Sequence, residues 1–130
     1  MCLATVRKTF KGGGKTVKTG YKWMCPTDTK GWYGSPCMGR NCKLGKWNTA
    51  TTVPITASCS TEYRAGFHIF LNETDARKHW LAEEEGCVLV RVEYKGVVAI
   101  GTELDSYDVE FPISVDVVVA KYMKPVRKVR

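Results

Sequence analysis

From Ser114 to Met123 the chain reads SVDVVVAKYM, a valine-rich run broken only by Asp116 and Lys121. A run that is apolar at successive positions suits a strand covered on both faces, in the middle of a sheet rather than at its rim. Cys87 to Tyr94, CVLVRVEY, alternates instead. Val88, Val90, Val92 and Tyr94 point one way, Arg91 and Glu93 the other. Tyr63 to Leu71, YRAGFHIFL, is a further strand, with Phe67, Ile69 and Leu71 on one face and His68 and Phe70 on the other. Gly66 inside it marks a bulge or a close backbone approach.

The remaining segments fit around these strands. Residues 1–10 read as a first strand of mixed faces, and Thr16–Met24 as a second, rich in β-branched and aromatic residues. Between them Lys11–Lys15, KGGGK, is a flexible turn. Lys95-Gly96 reads as a turn into VVAIGTE, giving a hairpin or a close pair. Residues 105–112 form a loop ending at Pro112, and the basic tail from about 124 to 130 is expected to be loose.

One segment carries a helical pattern. NETDARKHWLAEEEG offers Asn72 or Thr74 as a cap, with Glu73 and Asp75 in the first turn, where the helix dipole favours acids. Ala76 and Trp80, one turn apart, should pack on the sheet, and Gly86 should end the helix. The expectation is an α+β domain spanning 1–130: a mainly antiparallel sheet, one main helix at about 73–85, and a long aromatic, Gly-rich loop. A chain of 130 residues, 44% apolar and 25% charged, is one ordinary domain. It has no ~20-residue apolar stretch of the kind a membrane helix needs.

Charge divides the chain. Residues 1–48 hold ten Lys and Arg against Asp28 alone, residues 49–120 hold five bases against twelve acids, and the last ten residues add five bases. The net charge is +7. Such polarity points to an anionic partner near one face, or to halves that pair electrostatically. A membrane partner is not expected, and self-association is left open.

The strongest candidate site lies in the aromatic loop. Tyr21, Trp23, Trp32, Tyr33 and Trp47 interleave with Lys22, Lys30, Arg40, Lys43 and Lys46. Aromatic faces stack on nucleobases and cations neutralise phosphates. The competing reading makes these aromatics a satellite core beneath a long loop. His68, with Arg64 on the same strand, would form the opposite wall, where Gly66 lets backbone approach a ligand. The bland alternative is a packed strand histidine. His79 sits one turn from both Asp75 and Glu83, which suits surface pairing.

Six cysteines invite a metal reading. Cys25, Cys37, Cys42 and Cys59 are candidate zinc ligands, but only Cys37 and Cys42 approach the close spacing of a zinc knuckle. The opening MCLATVRKTFKGGGK has no apolar run of signal-peptide length before it turns basic. A cytoplasmic compartment with reduced thiols is therefore expected. A catalytic Cys2, exposed by loss of the initiator Met, is disfavoured for want of an identifiable partner.

Two resemblances follow from these motifs. GFHIFLNETDARKHW, then VLVRVEYKG and VVVAKYM, resembles a set of small phage and bacterial proteins without assigned activity. Tyr21-Lys22 and Leu44-Gly45-Lys46 match their upstream elements, so the likeness covers roughly residues 20–124. More distantly, Gly66, Phe67, His68, Ala76 and Trp80 are similar to a strand-and-helix element of ADP-ribosyltransferase-like domains. That likeness implies binding of NAD or ADP-ribose, with Glu93, Glu103 or Glu110 standing for the catalytic acid and Lys22 for the first-strand His or Arg.

The function expected is a non-enzymatic binding protein for an anionic, nucleotide-like ligand or nucleic acid, such as a phage accessory protein in host conflict, acting in the host cytoplasm. No acid–base pair stands out, which favours a binder over an enzyme, and no cofactor is expected. The alternatives are an ADP-ribosyltransferase-like enzyme using NAD, and a module docking on an acidic host protein.

Overall fold

The computed structural model describes residues 3–34, 41–50, 53–57, 62–78, 86–104 and 114–129. Within them the chain is nearly all β, with a single short helix. The strands are β1 (Thr5–Thr9), β2 (Lys18–Pro26), β3 (Trp32–Gly34), β4 (Asn41–Lys43), β5 (Asn48–Thr49), β6 (Pro54–Thr56), β7 (Glu62–Arg64), β8 (Phe67–Phe70), β9 (Val88–Leu104) and β10 (Ser114–Lys128), with α1 (Glu73–Lys78) between β8 and β9. All pairings among them are antiparallel.

The two longest strands organise the sheet. β9 and β10 pair from Ser114 opposite Leu104 to Lys128 opposite Val90. The other edge of β9 is shared. Its first half takes β2, from Lys18 opposite Tyr94 to Met24 opposite Val88, and its second half takes β1. β10 pairs in turn with β8, and β8 meets β2 at Phe70 opposite Tyr21. Strands β2, β9, β10 and β8 therefore close a ring. β3 and β4 extend it from β2, β5 adds to β10, and β6–β7 form a separate ribbon.

The valine run lies where its composition places it. Val117 and Val119 enter one core with Trp23, Phe70, Ala76 and Leu89. Val118 and Ala120 enter another with Met24, Ile69, Val92, Tyr94 and Met123. The alternation in β8 separates in the same way, with Phe70 in the first core and Phe67 and Ile69 in the second. Leu71, expected on the latter face, lies past the strand and is exposed.

Gly66 makes the close approach expected of it. A Cβ there would sit 2.7 Å from the Ala120 carbonyl oxygen, far inside van der Waals contact.

Two sequence expectations are corrected. Lys95-Gly96 does not turn, because β9 runs straight through it. Gly96 adopts φ +67°, and the β9–β10 register slips between Val119 and Ala120, so the irregularity is absorbed as a bulge. The tail is not loose either. It is the last part of β10, and the Val129 amide still donates to Leu89 O at 2.7 Å. Pro125, which lacks an N–H, sits at the second register slip, where a ladder tolerates it.

The helix is capped by Asn72, whose Oδ1 accepts from the Asp75 amide at 2.8 Å. Ala76 is fully buried, and its carbonyl receives the Trp23 indole N–H at 2.7 Å. The expected continuation to Glu85, with His79 and Trp80, lies outside the described residues. Among the described residues, no helix is long and apolar enough to cross a membrane.

Candidate functional site

The chain on both sides of β5 is fastened to β10 by backbone bonds. Gly45 N donates to Pro125 O at 2.7 Å and Ala50 N to Lys121 O at 2.8 Å. The Asn48 side chain ties the turn before β5 to Lys46 O at 2.8 Å. These contacts lay Trp47 against the middle of the β9–β10 ladder. Tyr122 there stands opposite Lys95, and Lys124 opposite Glu93, so all four side chains share one face.

The result is an aromatic platform ringed by cations. Lys95 Nζ sits 4.5 Å from the Trp47 ring centroid and Lys124 Nζ 5.3 Å from it. Tyr122 has Lys121 at 5.3 Å and Lys95 at 5.7 Å. One acid intrudes: Glu93 pairs with Lys124 at 2.9 Å. Trp47 remains 38% exposed.

The platform borders a cavity of about 550 Å³, lined by Phe10, Lys11, Gly12 to Gly14, Thr16, Lys18, Gly96, Val97 and Ile100. Lys121 joins the two regions: its Cδ lies 4.0 Å from where a Cβ on Gly12 would be. The glycines keep backbone at the cavity wall. Phe10 is 39% exposed, with Lys8 Nζ 5.1 Å from its ring.

A second cluster is interior. Lys22 and His68 are buried, and the Lys22 amine donates to the His68 carbonyl at 3.0 Å. Tyr63 Oη accepts from Leu3 N at 2.8 Å and lies 3.1 Å from His68 Nε2. Burial drives the His68 pKa from 6.5 down to about 4. Glu103 opposes that shift, Lys22 reinforces it, and a backbone hydrogen bond with Gly66 weakly opposes it. The imidazole is therefore neutral at physiological pH. Glu103 is buried as well.

The expected binding loop thus separates into two populations. Trp32, Lys43, Lys46 and Trp47 are exposed, with Trp32 directly opposite Lys43 on the β3–β4 ladder. Tyr21 is half-buried against the first core, and Trp23 is buried within it. Lys22, Trp23 and His68 face the interior, so the wall expected from them is not an open surface. Arg64 is exposed on β7, opposite Pro54. Arg40 lies outside the described residues.

Cys42 is buried in the second core and Cys25 is half-buried near Cys87, while Cys37, Cys59 and Cys2 fall outside the described residues. Among the described residues no three His, Cys, Asp or Glu side chains cluster as a metal site. Sequence reading missed Lys95, Lys121, Tyr122 and Lys124. Their signal was the alternation of Tyr122 and Lys124, which becomes legible once the tail is read as strand.

Compared with family models, curated proteins and solved structures, the chain matches none.

Proposed function

We propose that this chain is a non-enzymatic, cytoplasmic binding protein for an anionic, nucleotide-like ligand or nucleic acid, with the Trp47–Tyr122 platform as its contact face. The observation that carries the reading is Trp47, over a third exposed between Lys95 and Lys124. Stacking a base on such a ring is worth about 1–3 kcal/mol. The lysines now over the ring must be drawn off toward phosphate, at a cost of roughly 0.5–1 kcal/mol for exposed cation–π contacts. The exchange favours the ligand, since the same lysines gain phosphate contacts.

The test is fluorescence anisotropy of a labelled single-stranded oligonucleotide and of a labelled nucleoside triphosphate at low and moderate salt. Affinity should fall as salt rises, by counterion release. Trp47→Ala should weaken binding about 5- to 150-fold, the equivalent of one lost stacking contact. Equal affinity in wild type and Trp47→Ala removes the platform from the reading.

The interior group of Lys22, Tyr63, His68 and Glu103 is the observation favouring an ADP-ribosyltransferase-like enzyme. Consumption of NAD that is abolished by Glu103→Gln would put that reading first. Failure of either labelled probe to bind, together with capture of an acidic peptide, would favour the protein-docking module.

A further inference from the structure

The sulfurs of Cys25 and Cys87 lie 3.3 Å apart, and both residues are half-buried thiols. The sheet register accounts for their meeting. The antiparallel β2–β9 ladder ends with Met24 opposite Val88, and Cys25 and Cys87 are the next residues beyond that last pair. Opposed residues on neighbouring antiparallel strands have Cα atoms roughly 4.5–5.5 Å apart, within the span a disulfide bridges. The third described thiol, Cys42, is 1% exposed inside the second core.

We propose that Cys25 and Cys87 are a redox-modification site, a dithiol that closes into a cross-strand disulfide by exchange with a small disulfide such as oxidised glutathione. One cysteine loses its proton, and its thiolate attacks a glutathione sulfur. That forms a mixed disulfide and expels one glutathione thiolate, which takes up the proton. The second cysteine then attacks the protein-side sulfur of the mixed disulfide and expels the other glutathione in the same way. The two protein thiols lose two electrons and two protons, and one oxidised glutathione becomes two reduced ones. The 3.3 Å separation favours the second step, because the resolving sulfur already stands beside the first.

The bond would join positions 62 residues apart and tie the end of β2 to the start of β9. A loop of that length should raise the melting temperature by roughly 5–15 °C, by restricting the unfolded chain. This site is independent of the ligand reading.

The experiment incubates the folded protein with graded ratios of oxidised to reduced glutathione, alkylates the remaining thiols, and reads intact mass, linked peptides and melting temperature. The expected product has lost two hydrogens, yields a linked peptide containing Cys25 and Cys87, and melts higher. In Cys25→Ser and Cys87→Ser, the remaining partner should retain one glutathione. A wild type that accumulates stable glutathione adducts without an internal bridge overturns the proposal. So does a bridge mapped to any other pair, or a protein that stays fully reduced at the most oxidising ratio.

Discussion

His68 adds a step of its own to the acid limb of the stability curve. Its imidazole is buried under Tyr63 and beside Lys22, and burial takes its pKa from 6.5 to about 4. The unfolded chain therefore binds a proton more readily than the folded one between those two values. Above pH 6.5 the histidine is neutral in both states, and its contribution to stability is fully present. As pH falls toward 4 the unfolded state gains the proton first, so stability is lost progressively through that window. At ~1.4 kcal/mol per pH unit, the gap between 6.5 and about 4 amounts to about 3 kcal/mol.

The assay is urea unfolding at intervals from pH 4 to pH 7.5 for wild type and for His68→Asn, which keeps a polar group but cannot titrate. Carboxylates elsewhere give both proteins a common slope. The difference between the two curves reads His68 together with its coupling to Glu103, and should grow by about 3 kcal/mol on going from pH 4 to pH 7. Parallel curves would refute the argument, because they would mean the ring gains its proton equally easily folded and unfolded.

Other substitutions test neighbouring contacts. Tyr63→Phe strips the buried Leu3 amide and His68 Nε2 of their shared partner, and should cost about 1–3 kcal/mol in the same unfolding assay. Gly66→Ala places a methyl 2.7 Å from the Ala120 carbonyl and should destabilise by about 1–3 kcal/mol through overpacking, read as a lower thermal midpoint. Lys95→Ala and Lys124→Ala should each flatten the salt dependence of oligonucleotide binding by about one counterion, measured by anisotropy across a salt series.

Strands dominated by their own side-chain pattern were legible from sequence. The β8 alternation and the valine run each placed residues on the faces they occupy, because period-two patterning is a property of the segment itself. What failed depended on partners. Lys95-Gly96 has the composition of a turn, yet Gly96 takes its positive φ inside a continuous strand because β10 runs alongside on one edge and its amide donates to the Gly14 carbonyl on the other. The KPVRKVR tail looks unstructured by charge, but its backbone bonds to β9 do not depend on side-chain polarity. The site divides similarly. Alternating cations and aromatics in 21–47 suggested one wall, whereas strand geometry buries Lys22 and Trp23 and leaves Trp47 outside. Nothing local marks Lys22 as interior, since its partner is a carbonyl 46 positions away.

The shared edge of β9 also bears on how the molecule is assembled. β1 and β2 find their partners in β9, across separations as wide as Thr5 to Thr102. During synthesis both strands emerge long before the segment that pairs with them, and β9 itself precedes β10. Neither ring closure nor either core can be completed until nearly the whole chain is available. Closing such long loops before any contact rewards it slows the search, and places this domain with the non-local β topologies that fold in roughly milliseconds to seconds rather than microseconds. In the interval β2 presents Trp23 and Met24 uncovered, so the nascent chain passes through a stage in which these apolar side chains wait for their organiser.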